Sequence, residues 1–91
     1  MACEIVNMFY VYVLKSLHDN GMYIGCTKNL EKRLEAHTSG LVVSTKNRSP
    51  MELIYFEACL NQKDAFRRER YLKTTYGRRY LKSRLKGYFT G

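Results

Sequence analysis

The hydrophobic pattern begins with two short runs that predict β-strands. The first, residues 9–14, alternates strictly, so Val11 and Val13 fall on one face of a strand and tyrosines on the other. The second, residues 22–26, is shorter and contains Gly25, which lets another backbone or a ligand come close. Each run carries tyrosine where a half-buried strand more often has valine or isoleucine. By pattern alone, these tyrosines are packing residues.

Asp-Asn-Gly at positions 19–21 connects the two runs and predicts a hairpin, because Asn and Gly tolerate positive φ. A two-residue turn would offset Tyr12 from Tyr23 by about six positions, or about 20 Å along the strands, which is too far for one site. Either the connection is wider, or only one tyrosine takes part in a site. We expect a wider, irregular connection through residues 16–20.

Helix signals follow the second run. Asn29 is a preferred N-cap and Gly40 suits the position after a helix end, which predicts a helix from residue 30 to about residue 38. Arg33 and His37 fall four residues apart on the inward stripe of this helix, among leucines. A buried guanidinium must be paired, so arginine is unusual there. The alternative is that Arg33 reaches the edge and His37 is a satisfied core histidine.

The second half of the chain predicts one strand and two helices. Residues 53–59 are rich in aliphatic and aromatic side chains and follow a polar loop at 40–50. A cap at Asn61 opens a helix that we expect to run to about Tyr76, before Gly77. Its predicted inner stripe is Ala65, Phe66, Glu69, Leu72, Lys73 and Tyr76.

A last helix over residues 78–86 would turn Tyr80, Leu81 and Leu85 inwards. The predicted fold class is therefore a small α+β fold with a three-stranded antiparallel sheet covered by helices. Three strands suffice for such a sheet if helices cover one face.

The composition predicts one globular domain. Ninety-one residues leave no room for a second core, and a hydrophobic fraction of 45% argues against disorder. No apolar run approaches the ~20 residues of a membrane span, and an acidic N-terminus, with Glu4, does not predict a secretory signal. Cys3, Cys26 and Cys59 are widely spaced and odd in number. This spacing indicates neither a disulfide framework nor a zinc site and predicts a reducing, cytoplasmic location.

The net charge of +8 is concentrated in residues 67–86, which hold nine Lys and Arg against one acid. Such a surface most often meets a polyanion, commonly nucleic acid, although a solvated helix face is the alternative. Tyr80 and Tyr88 could stack on unpaired bases, but core packing is the favoured interpretation of Tyr80. The predicted phosphate contacts are Thr45, Lys46, Arg48, Arg67, Arg68, Arg70, Lys73, Arg78, Arg79, Lys82 and Arg84.

Four predicted elements each turn an unexpected polar group inwards: Tyr12, Tyr23, Arg33 with His37, and Glu69. Phosphodiester hydrolysis needs a base, cations for the developing charge and help for the leaving oxygen. One carboxylate can hold Mg²⁺, and an arginine fork complements phosphate oxygens. A tyrosine hydroxyl, with a pKa near ~10, needs a neighbouring cation to act as a base. Together these residues predict metal-assisted phosphodiester chemistry.

Tyr10-Val11-Tyr12, followed after ten residues by Tyr23-Ile24-Gly25, resembles the paired signature of the GIY-YIG nuclease superfamily. Tyr10 stands where the family usually has glycine, and Cys26 where many members have lysine. The resemblance covers roughly residues 9–76. It is closest to the small stand-alone bacterial GIY-YIG proteins.

This resemblance implies roles for individual residues. Arg33 matches the helix arginine of the family, His37 the position of a histidine or second tyrosine, and Glu69 the metal-binding glutamate. It implies one Mg²⁺ or Mn²⁺ ion, and a base that is either Tyr12 or Tyr23.

The implied protein is a single GIY-YIG-like domain over residues 1–91 that acts as a metal-dependent endonuclease on DNA, with single-stranded or structured DNA among the substrates. Two other functions stay open. One is a non-catalytic nucleic-acid-binding module on the same fold. The other is a basic domain that binds a protein partner.

Overall fold

A computed structural model describes residues 7–42, 46–48 and 50–91 and shows a three-stranded antiparallel sheet in the order β2-β1-β3. The predicted α+β class is confirmed. None of the helices in these residues is long and apolar enough to cross a membrane. The elements are β1 (Phe9–Ser16), β2 (Met22–Thr27), α1 (Leu30–Thr38), a 3₁₀ turn (Lys46–Arg48), β3 (Met51–Cys59), α2 (Gln62–Leu72), α3 (Thr75–Arg84) and α4 (Lys86–Thr90).

The hairpin connection between β1 and β2 is wide, as the sequence predicts. The Ser16 N–H donates to the Gly21 carbonyl at 2.8 Å and closes a loop rather than a two-residue turn. Leu14 consequently pairs with Tyr23. Tyr12 and Tyr23 then share one face of the sheet, with ring centroids 6.4 Å apart.

An apolar core fills one face of the sheet. Val11 and Val13 of β1 pack there against Ala65 and Leu72 of α2 and Leu81 of α3, all of them buried. Full burial of a leucine stabilises the fold by about 1.5–3 kcal/mol before the cost of lost chain entropy. The core cluster of buried apolar side chains in the described residues lies on this face.

Helix α1 covers the opposite face, so helices lie on both sides of the sheet. Its bounds match the prediction, because both ends are set locally. The Asn29 side chain accepts a hydrogen bond from the Lys32 N–H at 3.1 Å, and Gly40 follows the helix with φ of +73°. His37 faces the sheet from this helix and is buried.

The predicted single helix to about Tyr76 is wrong. Helix α2 ends at Leu72. The Thr74 side chain then caps a new helix by accepting a hydrogen bond from the Gly77 N–H at 3.1 Å. Gly77 does not end a helix but lies in the first turns of α3. A Cβ there would overlap the backbone of Tyr71 and Leu72, so this glycine allows α2 and α3 to approach closely.

The predicted inner stripe of α2 is too broad. Ala65 and Leu72 are buried, as expected, whereas Phe66 and Tyr76 are exposed by 45% and 71%. Phe66 lies about 100° around the helix from Ala65, and Tyr76 belongs to α3 because the helix breaks. In α3, Leu81 is buried and Tyr80 and Leu85 are partly buried, as predicted.

Candidate active site

The Tyr12 hydroxyl lies at the centre of a cluster on the α1 face. Its oxygen is 3.1 Å from Nε2 of His37, and Nε of Arg33 donates to it at 3.2 Å. Because arginine can only donate, the hydroxyl accepts from Arg33. Tyr12 and His37 are 0% and 1% exposed.

Tyr23 completes this group, called here the tyrosine cluster (Tyr12, Tyr23, Arg33 and His37). Its ring centroid lies 5.0 Å from that of His37, with the planes inclined by 61°. After Tyr12, Tyr23 also contributes to the raised pKa of Arg33, so its hydroxyl lies near the guanidinium. Tyr23 and Arg33 are partly exposed, whereas the other two are buried. The tyrosine cluster therefore has a buried half and a half that reaches solvent.

Gly25 makes room for the buried tyrosine. It lies directly across from Tyr12 in the β1–β2 register. A Cβ at Gly25 would overlap the hydroxyl and ring of Tyr12. The close approach predicted at this glycine is therefore made by a side chain from the neighbouring strand.

Burial and the contacts within the tyrosine cluster shift the pKa values of Tyr12, Arg33 and His37. Burial raises the pKa of Tyr12, and the hydrogen bond and charge of Arg33 oppose that rise. Burial, followed by the charge of Arg33, lowers the pKa of His37, so this ring is neutral at pH 7. The hydrogen bond to Tyr12 is the main cause of the raised pKa of Arg33. A neutral imidazole therefore faces a hydroxyl that a fixed cation also contacts.

Glu69 lies on α2, and its charge influences Tyr12 of the tyrosine cluster. Burial and then the Glu69 carboxylate raise the pKa of Cys26, and for Tyr12 Glu69 adds a smaller rise to that from burial. The Glu69 side chain is 20% exposed, and its Oε2 accepts from Nζ of Lys73 at 2.9 Å.

The donor set near Glu69 fits one kind of metal ion. Within the described residues, no group of three or more His, Cys, Asp and Glu side chains is placed to hold a metal. A closed zinc or calcium cage is therefore not formed by this part of the chain. A single carboxylate does suit Mg²⁺, which keeps several waters and takes its remaining ligands from substrate phosphate. Glu69 is compatible with that role.

The basic residues divide into paired and unpaired groups. Arg68 donates to Glu57 through Nε and Nη2, each at 2.9 Å, and its guanidinium lies 4.6 Å from the Tyr80 ring centroid. Arg67 pairs with Asp64 at 2.9 Å, and Lys73 pairs with Glu69. Of the predicted phosphate contacts in the described chain, those without an ion pair are Lys46, Arg70, Arg78, Arg79, Lys82 and Arg84. Thr45, the side chain of Arg48 and Cys3 lie outside the described residues.

Sequence reasoning missed the role of Glu57. This residue shares the core face of β3 with Tyr55, whose hydroxyl donates to it at 2.9 Å. Burial opposes ionisation of Glu57, but the hydrogen bonds from Arg68 and Tyr55 outweigh it and lower the pKa. A charged residue at a core-facing strand position was the available signal, since it needs a buried partner.

The two tyrosines considered for base stacking are both engaged. The Tyr80 hydroxyl is 3.4 Å from that of Tyr55, as core packing would predict. The Tyr88 hydroxyl donates to Glu52 at 3.0 Å, and Nζ of Lys15 lies 5.2 Å from the Tyr88 ring centroid.

Comparison with known proteins agrees with this architecture. A family model described as the GIY-YIG catalytic domain matches residues 8–89, which include the tyrosine cluster and Glu69. A UPF0213 protein of Clostridium perfringens is 46% identical over 67 residues, which cover 72% of this chain and 71% of that protein. A UPF0213 protein of Pediococcus pentosaceus is 46% identical over 70 residues, covering 76% and 73%.

Among solved structures, the solution NMR structure of a UPF0213 protein from Bacillus halodurans matches with a TM-score of 0.54. It is 29% identical, and the match covers 84% of this chain and 83% of that one. With its sheet, tyrosine cluster and sequence match, this chain belongs to the GIY-YIG domain family and is a relative of the UPF0213 proteins.

Proposed function

We propose that this protein is a metal-dependent endonuclease that hydrolyses phosphodiester bonds in DNA. The observation that carries the proposal is the hydrogen-bonded chain from Arg33 to Tyr12 to His37. Buried titratable groups held in fixed positions beside a partly exposed cation are typical of active sites. The family membership supports the same reaction class.

Arg33 is the group that would bind the scissile phosphate. Its Nε is held by Tyr12, which fixes the plane of the guanidinium while other N–H donors remain on a partly exposed side chain. A fixed guanidinium plane complements two phosphate oxygens and stabilises the charge that grows on them in the transition state. Tyr12 and His37 would act as positioning residues for this arginine.

Exposure distinguishes the two tyrosines. Tyr12 has no exposed surface, so a substrate phosphate or its attacking water does not reach its hydroxyl in this conformation. Tyr23 is partly exposed and lies near Arg33, whose pKa it helps Tyr12 to raise. Tyr23 would therefore be the residue that takes the proton of the attacking water, with the Arg33 cation beside it.

Glu69 would hold one Mg²⁺ or Mn²⁺ ion. When bound, such an ion supplies positive charge to the phosphate and to the leaving oxygen. The Lys73 ammonium already neutralises this carboxylate, so metal binding has to compete with that pair. Cleavage should therefore depend on the concentration of the divalent ion more steeply than DNA binding does.

The test uses labelled single-stranded, duplex and branched DNA with purified protein in Mg²⁺ or Mn²⁺. We expect metal-dependent cleavage that Glu69→Gln abolishes, because the amide keeps the volume but loses the charge that a divalent ion needs. Asp64→Asn, a matched change on the same helix, should cleave normally. Glu69→Gln that cleaves at the parent rate in Mg²⁺ would overturn the metal assignment.

A second function is favoured by the Lys73–Glu69 pair, because an already neutralised carboxylate is what a non-catalytic binding module would retain. That protein would bind nucleic acid in a salt-dependent way and cleave none of the DNA panel. Its Glu69→Gln variant would keep nucleic-acid binding and change the melting temperature only slightly, because the lost pair involves a half-exposed lysine and such pairs add little stability.

A further inference from the structure

A groove of about 530 Å³ runs along the α1 face beside the tyrosine cluster. Tyr10 of β1 and Phe56 of β3 form its floor, and Leu30 and Leu34 of α1 form its wall. The ring centroids of Tyr10 and Phe56 are 6.0 Å apart, and the planes are inclined by 60°. Phe56 is 49% exposed, which leaves much of its ring accessible.

This groove lies next to the tyrosine cluster, whose residues are not among its described lining residues. Phe56 pairs with Tyr12 across β1 and β3, and Tyr10 precedes Tyr12 by two residues on the same face, about 7 Å along the strand. On α1, Arg33 lies between the two leucines of the wall. A phosphate bound by Arg33 would therefore place the neighbouring part of its ligand over the groove.

The groove suits a flat, apolar group, and the neighbouring Arg33 suits a negative charge attached to that group. Two aromatic rings and two leucines offer π and aliphatic surface. Lys28, Asn29 and Glu31 also line the groove, and Nζ of Lys28 lies 5.4 Å from the ring centroid of Phe9, next to Tyr10 in β1. An unpaired nucleobase, flanked by phosphates, meets both requirements. A base inside a continuous duplex does not, because its faces are already stacked.

We propose that Tyr10 and Phe56 form a stacking subsite for one unpaired nucleobase adjacent to the phosphate held by Arg33. The substrate class in this proposal rests on the proposed nuclease function. The subsite makes the protein prefer a strand with unpaired nucleotides at the cleavage point over a continuous duplex. The preference is largely independent of sequence, since every base has a π face.

Binding without divalent metal tests the subsite apart from cleavage. Fluorescence anisotropy would compare a short labelled single strand with a hairpin duplex in EDTA. Phe56→Leu keeps an apolar side chain but loses the ring, so the single-strand Kd should rise about ten-fold, with duplex affinity unchanged. Phe56→Tyr keeps the ring and should keep the affinity.

Phe66→Leu is the matched control, because Phe66 is exposed to a similar degree, 45%, on α2. It should leave both affinities unchanged. If circular dichroism shows that Phe56→Leu does not fold, Tyr10→Leu tests the other half of the subsite. An unchanged single-strand Kd in a folded Phe56→Leu or Tyr10→Leu protein overturns the proposal.

An abasic nucleotide identifies stacking more directly. One abasic position in the single strand should weaken binding by the parent protein as much as Phe56→Leu does. In Phe56→Leu the same abasic strand should show no further loss, because both changes remove the same contact. Equal and additive losses at every position would overturn a defined subsite.

The outcomes separate this inference from the nuclease proposal. Equal cleavage of single and double strands, unaffected by Phe56→Leu, keeps the nuclease and overturns the subsite. Ring-dependent single-strand binding without cleavage supports the subsite and overturns the nuclease. If Phe56→Leu instead dissociates a dimer and leaves DNA affinity unchanged, the groove is a contact between copies of this chain and the subsite is overturned.

Discussion

Val11 and Val13 on one face of β1 pack against apolar side chains of α2 and α3, whereas Tyr12, between them, bonds to His37 and Arg33 beneath α1. The first set of contacts depends on area and shape. The second depends on every polar atom having a partner, and no buried side-chain nitrogen or oxygen in the described residues lacks one. Because neighbouring strand residues alternate, one strand serves a core and a titratable cluster together.

This difference assigns stability and chemistry to different faces. Hydrogen bonds within a buried polar cluster add only about 0.5–1.5 kcal/mol each to stability, because they replace bonds to water. Apolar burial on the α2–α3 face therefore has to offset most of the entropy cost of folding. Changes to that face should alter melting, and changes to the exposed half of the tyrosine cluster should alter the reaction.

The largest effect is expected from Gly77→Ala on the apolar face. The new methyl group would overlap the α2 backbone, which cannot move aside as a side chain can. We expect a loss of about 3 kcal/mol or more, seen as a melting temperature lower by about 4–8 °C per kcal/mol. Gly87→Ala is the control, because a Cβ at Gly87 would meet no atom of another element within 4 Å and alanine favours the helix. A normal melting temperature for Gly77→Ala would show that the two helices are not closely packed.

Removal of the Tyr12 and Tyr23 hydroxyls should distinguish the buried half of the tyrosine cluster from the half that reaches solvent. Tyr23→Phe should lower the cleavage rate by about 10²-fold with little change in melting temperature, because Tyr23 is partly exposed. Tyr12→Phe should lower both, because the buried His37 and Arg33 lose a partner at a cost of about 1–3 kcal/mol. A double variant that still cleaves would place the base elsewhere, with His37 the next candidate.

A smaller effect is expected from the exposed cations of α3, which belong to neither face. Replacing Arg78, Arg79, Lys82 and Arg84 together with Gln should weaken binding to every sequence alike. The slope of log affinity against log salt should flatten by about one unit per lost phosphate contact. Arg67→Gln, which removes a cation already paired with Asp64, should leave the slope nearly unchanged. An unchanged slope in the fourfold variant would make α3 a solvated helix only.

The smallest effect concerns pH and His37. Its pKa is lowered in the fold from 6.5, by burial and then by Arg33, so below pH 6.5 the unfolded chain binds a proton that the folded chain does not. Stability should therefore fall as the pH falls from 6.5 and should level off below the folded pKa. Melting temperatures between pH 7.5 and about 5.5 should show this decline in the parent and in His18→Gln. A decline that persists in His37→Gln would contradict the assignment.

Local signals predicted the elements whose ends are set locally. Asn29 and Gly40 fixed α1 because a cap side chain and a positive φ act within a few residues. The break between α2 and α3 was not predicted, because the chain around Thr74 continues a helical pattern. Glycine is typical of helix ends, which is why Gly77 was expected to follow one. Its position is instead explained by the close contact between α3 and α2.

The sequence alone determined four properties: the alternation of apolar and polar residues in β1, the helix caps, the basic segment and the residue types of the tyrosine cluster. These properties depend on neighbours along the chain. Only the tertiary structure decided the strand register that places Tyr23 beside Tyr12, and the pairing of Arg68 with Glu57. It also decided that Tyr12 is buried while Tyr23 reaches solvent. Register, pairing and exposure depend on residues far apart in the sequence, and no local pattern specifies which of them meet.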